Sequence, residues 1–188
     1  MAKDHLIALE ETLLFADAKK PFNTDQMKRI AGLILKNTKG KVNTPLGSFD
    51  PSNGDLRLLN VWTKSSSFPN FTKVPQLFNQ LVNEIIERTE HLRSFKEIND
   101  FAFDAHYKLV NIHPWLDGNG RMSRLLMNYI QHYHKEPLSI VNCGDVELYI
   151  EAIQSSRSNE SNEPFKAFMY NQYEKHLISE IERLTKKI

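Results

Sequence analysis

Two helical segments joined by a glycine-containing loop occupy residues 95–133, FKEINDFAFDAHYKLVNIHPWLDGNGRMSRLLMNYIQHY. Apolar residues recur at intervals of three and four on both sides of the loop, which is the spacing of an amphipathic helix. Ser94 and Glu97 form an S-x-x-E capping box that begins the first segment. His113 and Pro114 end it. The sequence therefore predicts two core helices with a tight loop between them.

The same periodicity covers most of the remaining chain. It predicts a helix that ends before Pro21, a second over residues 24–39 with Thr24 as its N-cap and Gly40 at its end, and a third that begins at Pro75. A shorter helix is expected around residues 146–153. A last helix is expected at about 163–186, after a polar linker at residues 155–162.

Residues 43–73 have a different character, because proline and glycine interrupt any helical period. Within them only Leu56–Thr63, rich in Leu, Val and Trp, favours a strand. We expect a flexible segment with a short hairpin here. The predicted fold is mainly α, a single helical domain over residues 1–188 with a short β-hairpin flap.

Composition narrows the possible partners. The 188 residues are 40% hydrophobic and 25% charged, with a net charge of +1, so no global charge favours nucleic acid or a membrane surface. No run of eighteen apolar residues occurs, and neither secretion nor membrane spanning is expected. The single cysteine, Cys143, excludes an internal disulfide; a buried thiol in a reducing, cytoplasmic setting is the expectation.

The loop carries the features of an anion site. Gly118 and Gly120 have backbone freedom and Asn119 tolerates the left-handed region, so successive N–H groups can turn inward at the start of the next helix. The positive end of that helix adds to the same site. Arg121 and Arg124 lie three residues apart and project from one side of the helix. Two guanidinium groups so placed suit a polyphosphate.

Two further side chains flank this loop. Asp117 offers a hard carboxylate oxygen for Mg²⁺. His113 has a reference pKa near neutrality, at about 6.5, and suits the role of a base toward a hydroxyl. A base, a metal-binding carboxylate, an oxyanion cradle and two cations are the parts that phosphoryl or nucleotidyl transfer needs.

The loop sequence closely resembles the signature of Fic domains, H-P-F-x-D/E-G-N-G-R-x-x-R, over His113–Arg124. The likeness extends to the flap and the helices around it, over most of residues 24–155. It includes three shorter stretches: Leu56-Arg57-Leu58-Leu59-Asn60-Val61, Lys73-Val74-Pro75 and Ala105-His106-Tyr107.

The resemblance implies a protein adenylyltransferase that moves AMP from ATP to a Ser, Thr or Tyr hydroxyl of a target protein. His113 would be the general base, and Asp117 would hold Mg²⁺ on the α- and β-phosphates. The remaining signature positions would bind phosphate: Gly118, Asn119 (by backbone and side-chain donors), Gly120, Arg121 and Arg124. The flap would clamp the target as an added strand, along Arg57, Leu58, Leu59, Asn60, Val61, Trp62, Thr63 and Lys64.

Three positions bear on this reading. Trp115 replaces the usual Phe, and we expect it to point into the core beneath the loop. Gly120 favours nucleotidyl over γ-phosphoryl transfer, since phosphorylating relatives that resemble Doc carry Lys there. The inhibitory pattern [S/T]-x-x-x-E of many family members occurs only at Ser156 and Glu160, in a Ser/Asn-rich stretch where chance explains it.

Alternatives stay open at this point. The site belongs either to an active transferase, to a nucleotide-binding interaction or toxin module held inactive by a partner or second subunit, or to an enzyme that moves a different phosphate-containing group. Outside the signature, His106 is expected to be a satisfied core histidine. Trp62, Phe68 and Phe71 either contact a nucleobase or partner, or pack the hairpin onto the body.

Overall fold

A computed structural model describes residues 2–37, 40–63 and 66–186 of the chain. It is 67% helical, as the apolar spacing predicts. The α-helices of the described residues are α1 Ala2–Asp17, α2 Thr24–Leu35, α3 Val74–Thr89, α4 Phe95–Ile112, α5 Asn119–Tyr133, α6 Val146–Ser158 and α7 Glu163–Thr185. Short 3₁₀ turns occupy Pro51–Asn53, Phe71–Lys73 and Cys143–Asp145.

Helices α4 and α5 form the centre of the fold. They pack along each other, α1 lies on α5 and α2, α3 lies on α4, and α7 packs on α6 and α4. The inward stripes are fully buried, for example Ala105 and Leu109 on α4 and Met122 and Leu126 on α5. Burial of these apolar faces supplies the main stabilisation, and it fixes the loop between α4 and α5 at one end of the bundle.

The helix ends follow from local capping. Ser94 and Glu97 make both hydrogen bonds of the predicted capping box. The N-cap of α2 is Asn23 rather than Thr24, because the Asn23 side chain accepts from the backbone N–H groups of the first turn. Helix α2 ends at Leu35, before the predicted residue 39. Two residues of the predicted last turn, Thr38 and Lys39, lie outside the described residues.

Two antiparallel hairpins occur where one was expected. Strand β1 (Val42–Thr44) pairs with β2 (Gly47–Phe49), and β3 (Trp62–Thr63) pairs with β4 (Ser66–Ser67). The prediction of a strand over Leu56–Thr63 was therefore wrong for its first six residues.

The side chain of Arg57 explains this difference, because its long-range hydrogen bonds cannot be read from the strand pattern. The backbone N–H of Arg57 donates to Pro114 O. The Arg57 guanidinium donates to the carbonyl groups of His113, Leu59 and Pro69. These contacts draw the chain onto the loop between α4 and α5 instead of into a ladder. The predicted target-binding flap also included Lys64, which lies outside the described residues.

Two smaller expectations were also wrong. The polar linker predicted at residues 155–162 begins later, because α6 continues to Ser158. Ser156 is buried there and its Oγ accepts from the N–H of Phe165. Cys143 is exposed rather than buried, since it lies in a surface 3₁₀ turn. Over the described ranges, no helix has the length and apolar character to cross a bilayer.

Candidate active site

His113 stands at the carboxyl end of α4, where the backbone leaves the helix. Its φ of 53° and ψ of 60° are left-handed, and its N–H still donates to Leu109 O at 3.0 Å. The following Pro114 disfavours a further helical residue. Histidine is one of the residues that tolerate this region, at a modest cost. The turn brings the imidazole to the edge of the signature loop.

The imidazole is held on one edge and one face. Nδ1 lies 3.3 Å from Val110 O, and because a carbonyl oxygen only accepts, Nδ1 carries the proton in this contact and Nε2 keeps its lone pair. The Phe68 ring stacks on the imidazole with centroids 3.8 Å apart. Burial lowers the pKa of His113 to about 4. The ring is therefore neutral at physiological pH and presents Nε2 as a base.

The loop after His113 is closed by its own side chains. Asn119 Oδ1 accepts from the Trp115 N–H at 3.0 Å, and Asn119 Nδ2 donates to Trp115 O at 2.9 Å. Trp115 is fully buried, as expected, and its indole N–H donates to Gly54 O. The larger ring thus has a hydrogen-bond partner beneath the loop. Because both ends of the Asn119 amide are used, the predicted side-chain donor to phosphate is already committed to the loop.

The two signature glycines differ in conformation. Gly118 has φ 78°, as predicted, and precedes the first turn of α5. Gly120 is an ordinary helical residue of α5, so the expectation of unusual backbone angles was wrong for it. The first N–H groups of an α-helix have no acceptor within the helix, and no side chain of the described chain caps α5. These donors follow directly on the loop that leaves α4.

Asp117 and Arg121 lie on the solvent side of this turn. The Asp117 side chain is 59% exposed; Oδ1 accepts from the Gly118 N–H at 2.5 Å, and Oδ2 lies 3.6 Å from Arg121 Nη2. Arg121 also donates to Ile34 O at the end of α2, at 3.3 Å. No group of three or more His, Cys, Asp or Glu side chains is placed to share a metal within the described chain. A single exposed carboxylate fits Mg²⁺, which keeps most of its ligands as water and phosphate oxygen.

Arg124 follows one turn later on α5. Among the described residues its guanidinium has neither an ion pair nor a hydrogen bond to another side chain, although its Nη1 lies 3.6 Å from where a Cβ on Gly120 would stand. Helix α1 adds His5 to this end of the site: burial lowers the pKa of His5, and the positive charges of Arg124 and Arg121 lower it further. No local pattern in the sequence indicates this neighbour.

Arg57 has a different role from the one predicted. Its side chain is 1% exposed. Nε donates to His113 O at 2.8 Å, Nη1 to Leu59 O at 2.8 Å and Nη2 to Pro69 O at 2.6 Å. The guanidinium therefore joins both arms of the flap to the backbone of the histidine. It is a buried anchor, and its side chain is not on a surface that a target could touch.

Four of the predicted flap residues lie between this anchor and β3, and Trp62 and Thr63 form β3 itself. Leu58 and Leu59 are half-buried, Asn60 accepts from the Phe71 N–H through Oδ1, and Val61 leads into the strand. Trp62 is 76% exposed. Phe68, on the return side of the hairpin, packs against the body of the domain at His113. This is one of the two alternatives that the sequence left open for the aromatic group.

Two residues near the imidazole were not identified from the sequence. The sequence patterns indicate neither the contact of Phe68 with the imidazole nor the presence there of Arg157 of α6. Its guanidinium carbon lies 5.2 Å from the Phe68 ring centroid. Both contacts join segments far apart in the chain, so no local pattern indicates them. His106, by contrast, is a buried core histidine, as expected, and its Nε2 is bonded to Tyr149 Oη at 2.9 Å. It is only half satisfied, since its Nδ1 has no hydrogen-bond partner among the described residues.

The pair that matches the inhibitory pattern does not share a helix face. Ser156 is buried in α6, while Glu160 is exposed beyond its end with φ 49°. Neither is paired with Arg124 in the structure.

Comparison with curated proteins finds relatives named protein adenylyltransferase Fic. The chain is 33% identical over 129 residues to the protein adenylyltransferase Fic of Drosophila persimilis, and 34% identical over 124 residues to that of Aedes aegypti. Each match covers 57% of this chain and 24% of the relative. The matched region thus spans about a quarter of the length of these curated relatives.

Solved structures share the fold. Fic-1 from C. elegans has a TM-score of 0.73 at 23% identity and covers 98% of this chain and 52% of its own. A Fic domain containing signaling protein from Bacteroides thetaiotaomicron has a TM-score of 0.70 at 22% identity, covering 91% and 66%. Residues 21–131, more than half of the chain, match the Fic/DOC family. With the signature loop and its helices in place, the chain belongs to the Fic/DOC family.

Proposed function

We propose that this domain is a protein adenylyltransferase, which moves AMP from MgATP to a Ser, Thr or Tyr hydroxyl of a target protein. One observation carries the proposal: a neutral imidazole with its Nε2 lone pair available stands across a glycine turn from a helix N-terminus that bears two arginines. The name of the curated relatives supports it, although the chain spans only part of their length.

In the proposed reaction His113 Nε2 takes the proton of the target hydroxyl. The hydroxyl oxygen then attacks the α-phosphorus, and the bond from that phosphorus to the bridging oxygen breaks. Pyrophosphate leaves, and an AMP–protein phosphodiester remains. His113 needs no other base to act, because its proton already lies on Nδ1 toward Val110 O.

The phosphates would be bound by the turn and the first helical residues of α5. The backbone N–H groups of Asn119 and Gly120 support this role, with Asn119 contributing through its backbone alone. Gly118 contributes through its turn, because its N–H donates to Asp117 Oδ1. Arg121 would neutralise the departing pyrophosphate, and Arg124 the γ-phosphate end. Removal of charge repulsion and correct placement are the main requirements of this chemistry.

Asp117 is the residue that would hold Mg²⁺. The ion, when bound, would neutralise charge on the α- and β-phosphates. The carboxylate suits this task because it is exposed and its Oδ1 is oriented by the Gly118 N–H.

The target would bind along the flap as an added strand. The exposed β3 residues Trp62 and Thr63 are the described part of that surface. Arg57 supports it from beneath. We further propose that the whole chain forms one Fic-type domain and that it works in a reducing compartment such as the cytoplasm, in keeping with its one exposed free thiol.

The test is incubation of the protein with α-labelled or γ-labelled ATP in the presence of a cell lysate. Label from α-labelled ATP on the protein or on a lysate component, lost in His113→Ala and kept in His91→Ala, is the expected result. His91 is an exposed histidine in the turn after α3 and outside the signature loop, so it is a matched control. Label from γ-labelled ATP alone would replace the proposal with kinase chemistry. Binding of MgATP with no transfer would support the partner-inhibited module instead.

A further inference from the structure

Three planar groups from three elements meet over the flap. Phe68, just after β4, stacks on the His113 imidazole at 3.8 Å between centroids, with 28° between the planes. The Arg157 guanidinium carbon of α6 lies 5.2 Å from the Phe68 centroid. A cation at this distance from a ring is attracted to it, and more so where water is excluded.

The donors of Arg157 are used on both sides of this contact. Nη1 donates to Ser66 Oγ in β4, and Nε donates to Asn111 Oδ1 in α4. One guanidinium thus joins the return strand of the flap to the helix that ends at His113. The planar guanidinium fixes the geometry of these two bonds while it lies near a ring, whereas a lysine ammonium on its flexible stem does not fix that geometry.

The imidazole itself depends on this arrangement. Val110 O holds one edge through Nδ1, and Phe68 covers one face. Rotation of the imidazole about its Cβ–Cγ bond breaks both contacts. With Phe68 in place, Nε2 is aimed in a single direction; without it, only a 3.3 Å hydrogen bond keeps the ring oriented.

We propose that Arg157 is a positioning residue that holds the flap over the site and, through Phe68, fixes the orientation of the His113 imidazole. The proposal rests on the proposed function, since it concerns how the same site is ordered and closed. Arg157 itself contacts no reacting atom. Loss of Arg157 removes the tie of β4 to α4 and α6, while Arg57 still holds the base of the flap.

The first test is independent of activity. Protons above or below an aromatic ring resonate upfield, so the His113 ring protons report directly on Phe68. The NMR spectrum of the nucleotide-free protein is recorded for wild type, Phe68→Ala, Arg157→Ala and Arg157→Lys. We expect the His113 signals of Arg157→Ala to move to their positions in Phe68→Ala, and those of Arg157→Lys to move in the same direction. Wild-type shifts in Arg157→Ala would overturn the proposal, whether or not the enzyme transfers AMP.

Two further variants serve as a control and as a milder substitution in this test. Arg183→Ala removes an exposed arginine that pairs with Glu180 within its own helix, and it is expected to leave the His113 signals unchanged. Ser66→Ala removes one partner of Arg157 without touching the core; it is expected to shift the same signals less than Arg157→Ala does. If Arg157→Ala does not fold, an unshifted Ser66→Ala spectrum overturns the proposal.

A double-mutant cycle supplies the second readout. If Arg157 orients the imidazole through Phe68, the variant with both substitutions loses no more of the kcat for transfer than Phe68→Ala alone. Amide hydrogen exchange of β3 and β4 should also speed up in Arg157→Ala, since the flap loses its tie to α4 and α6. Losses of activity that add, or flap exchange at the wild-type rate, would contradict the proposed coupling.

Discussion

At the scale of single residues, the environment of His113 decides its chemistry. Burial lowers its pKa to about 4, and the positive charges of Arg57 and Arg157 act in the same direction. The Val110 carbonyl and the Asp117 carboxylate oppose the shift but do not cancel it. A base of low pKa abstracts protons less strongly, yet it is in the correct form at every pH at which the cell operates.

The pH dependence follows from this shift. We expect kcat/KM for AMP transfer to be insensitive to His113 ionisation above about pH 5 and to fall with an apparent pKa near 4. The folded-state pKa lies below the unfolded value of about 6.5, so His113 destabilises the folded protein progressively as the pH falls from 6.5 toward 4. Denaturant unfolding of His113→Gln should show a weaker pH dependence over that window. A rate profile with its midpoint near 6.5 would contradict the burial argument.

The two loop glycines give a matched pair of substitutions. Gly118 has a φ of 78°, and a Cβ added there would lie 3.1 Å from Leu35 Cδ2. A Cβ added on Gly120 would meet only Arg124 Nη1, at 3.6 Å. We expect Gly118→Ala to lower the free energy of unfolding by about 1–2 kcal/mol. Gly120→Ala should leave it unchanged or raise it by up to about 1 kcal/mol, because Ala favours helix.

Urea unfolding and MgATP titration separate stability from binding in this pair. Gly120→Ala should weaken MgATP binding despite its stability, since its methyl group lies on the side where phosphate is proposed to bind. Equal stability losses in the two variants would contradict the different backbone conformations.

At the scale of elements, the flap and the loop between α4 and α5 are joined by Arg57. Arg57→Ala leaves three carbonyl groups without their donor in a buried place: His113 O, Leu59 O and Pro69 O. We expect a loss of about 3 kcal/mol in the free energy of unfolding. Arg57→Lys should recover only part of it, because an ammonium group lacks the planar fork. Thermal unfolding measures both, with the exposed Arg183→Ala as control; a loss below that of the control would show that the anchor is dispensable.

Element by element, the sequence was informative where the pattern is local. The apolar stripes of α4 and α5 and the Ser94 capping box predict their helices because each depends on residues three or four apart. The β1–β2 hairpin was missed because three-residue strands show no alternation to detect. The conformation of residues 56–61 depends on Arg57 bonding to a loop 56 residues away. No window of sequence contains that information.

The site shows the same division. The signature loop identifies His113, Asp117 and the arginines, because their chemistry and spacing lie within twelve residues. It does not show that the Asn119 amide is closed onto Trp115, or that Phe68 lies on the imidazole. Those facts depend on packing among separate elements, as does the approach of His5 to the two arginines.

At the scale of the whole molecule, nucleotide binding should appear as added stability. A ligand that binds only the folded state stabilises it by about 2.7 kcal/mol at one hundred times its dissociation constant. Arg124 makes no ion pair within the described chain, so Arg124→Ala should leave the stability of the free protein unchanged. Its stabilisation by MgATP should be smaller than that of the wild type. Thermal unfolding with and without MgATP measures both quantities.

Arg183→Ala is the control for Arg124→Ala in this experiment. Arg183→Ala also removes one positive charge from an exposed helical position, and it should keep the full MgATP effect. If Arg124→Ala keeps that effect as well, Arg124 does not bind the nucleotide.

The anchoring of the flap limits how the protein can be redesigned for a new target. Arg57, Phe68 and Arg157 hold the base and the return side of the hairpin against the histidine, so changes there would disturb the reaction itself. The side chains of Trp62 and Thr63 are exposed and do not hold the hairpin against the histidine. If the target binds along β3 as proposed, a library of variants restricted to these two positions would alter which peptide is accepted and leave the proposed chemical step intact.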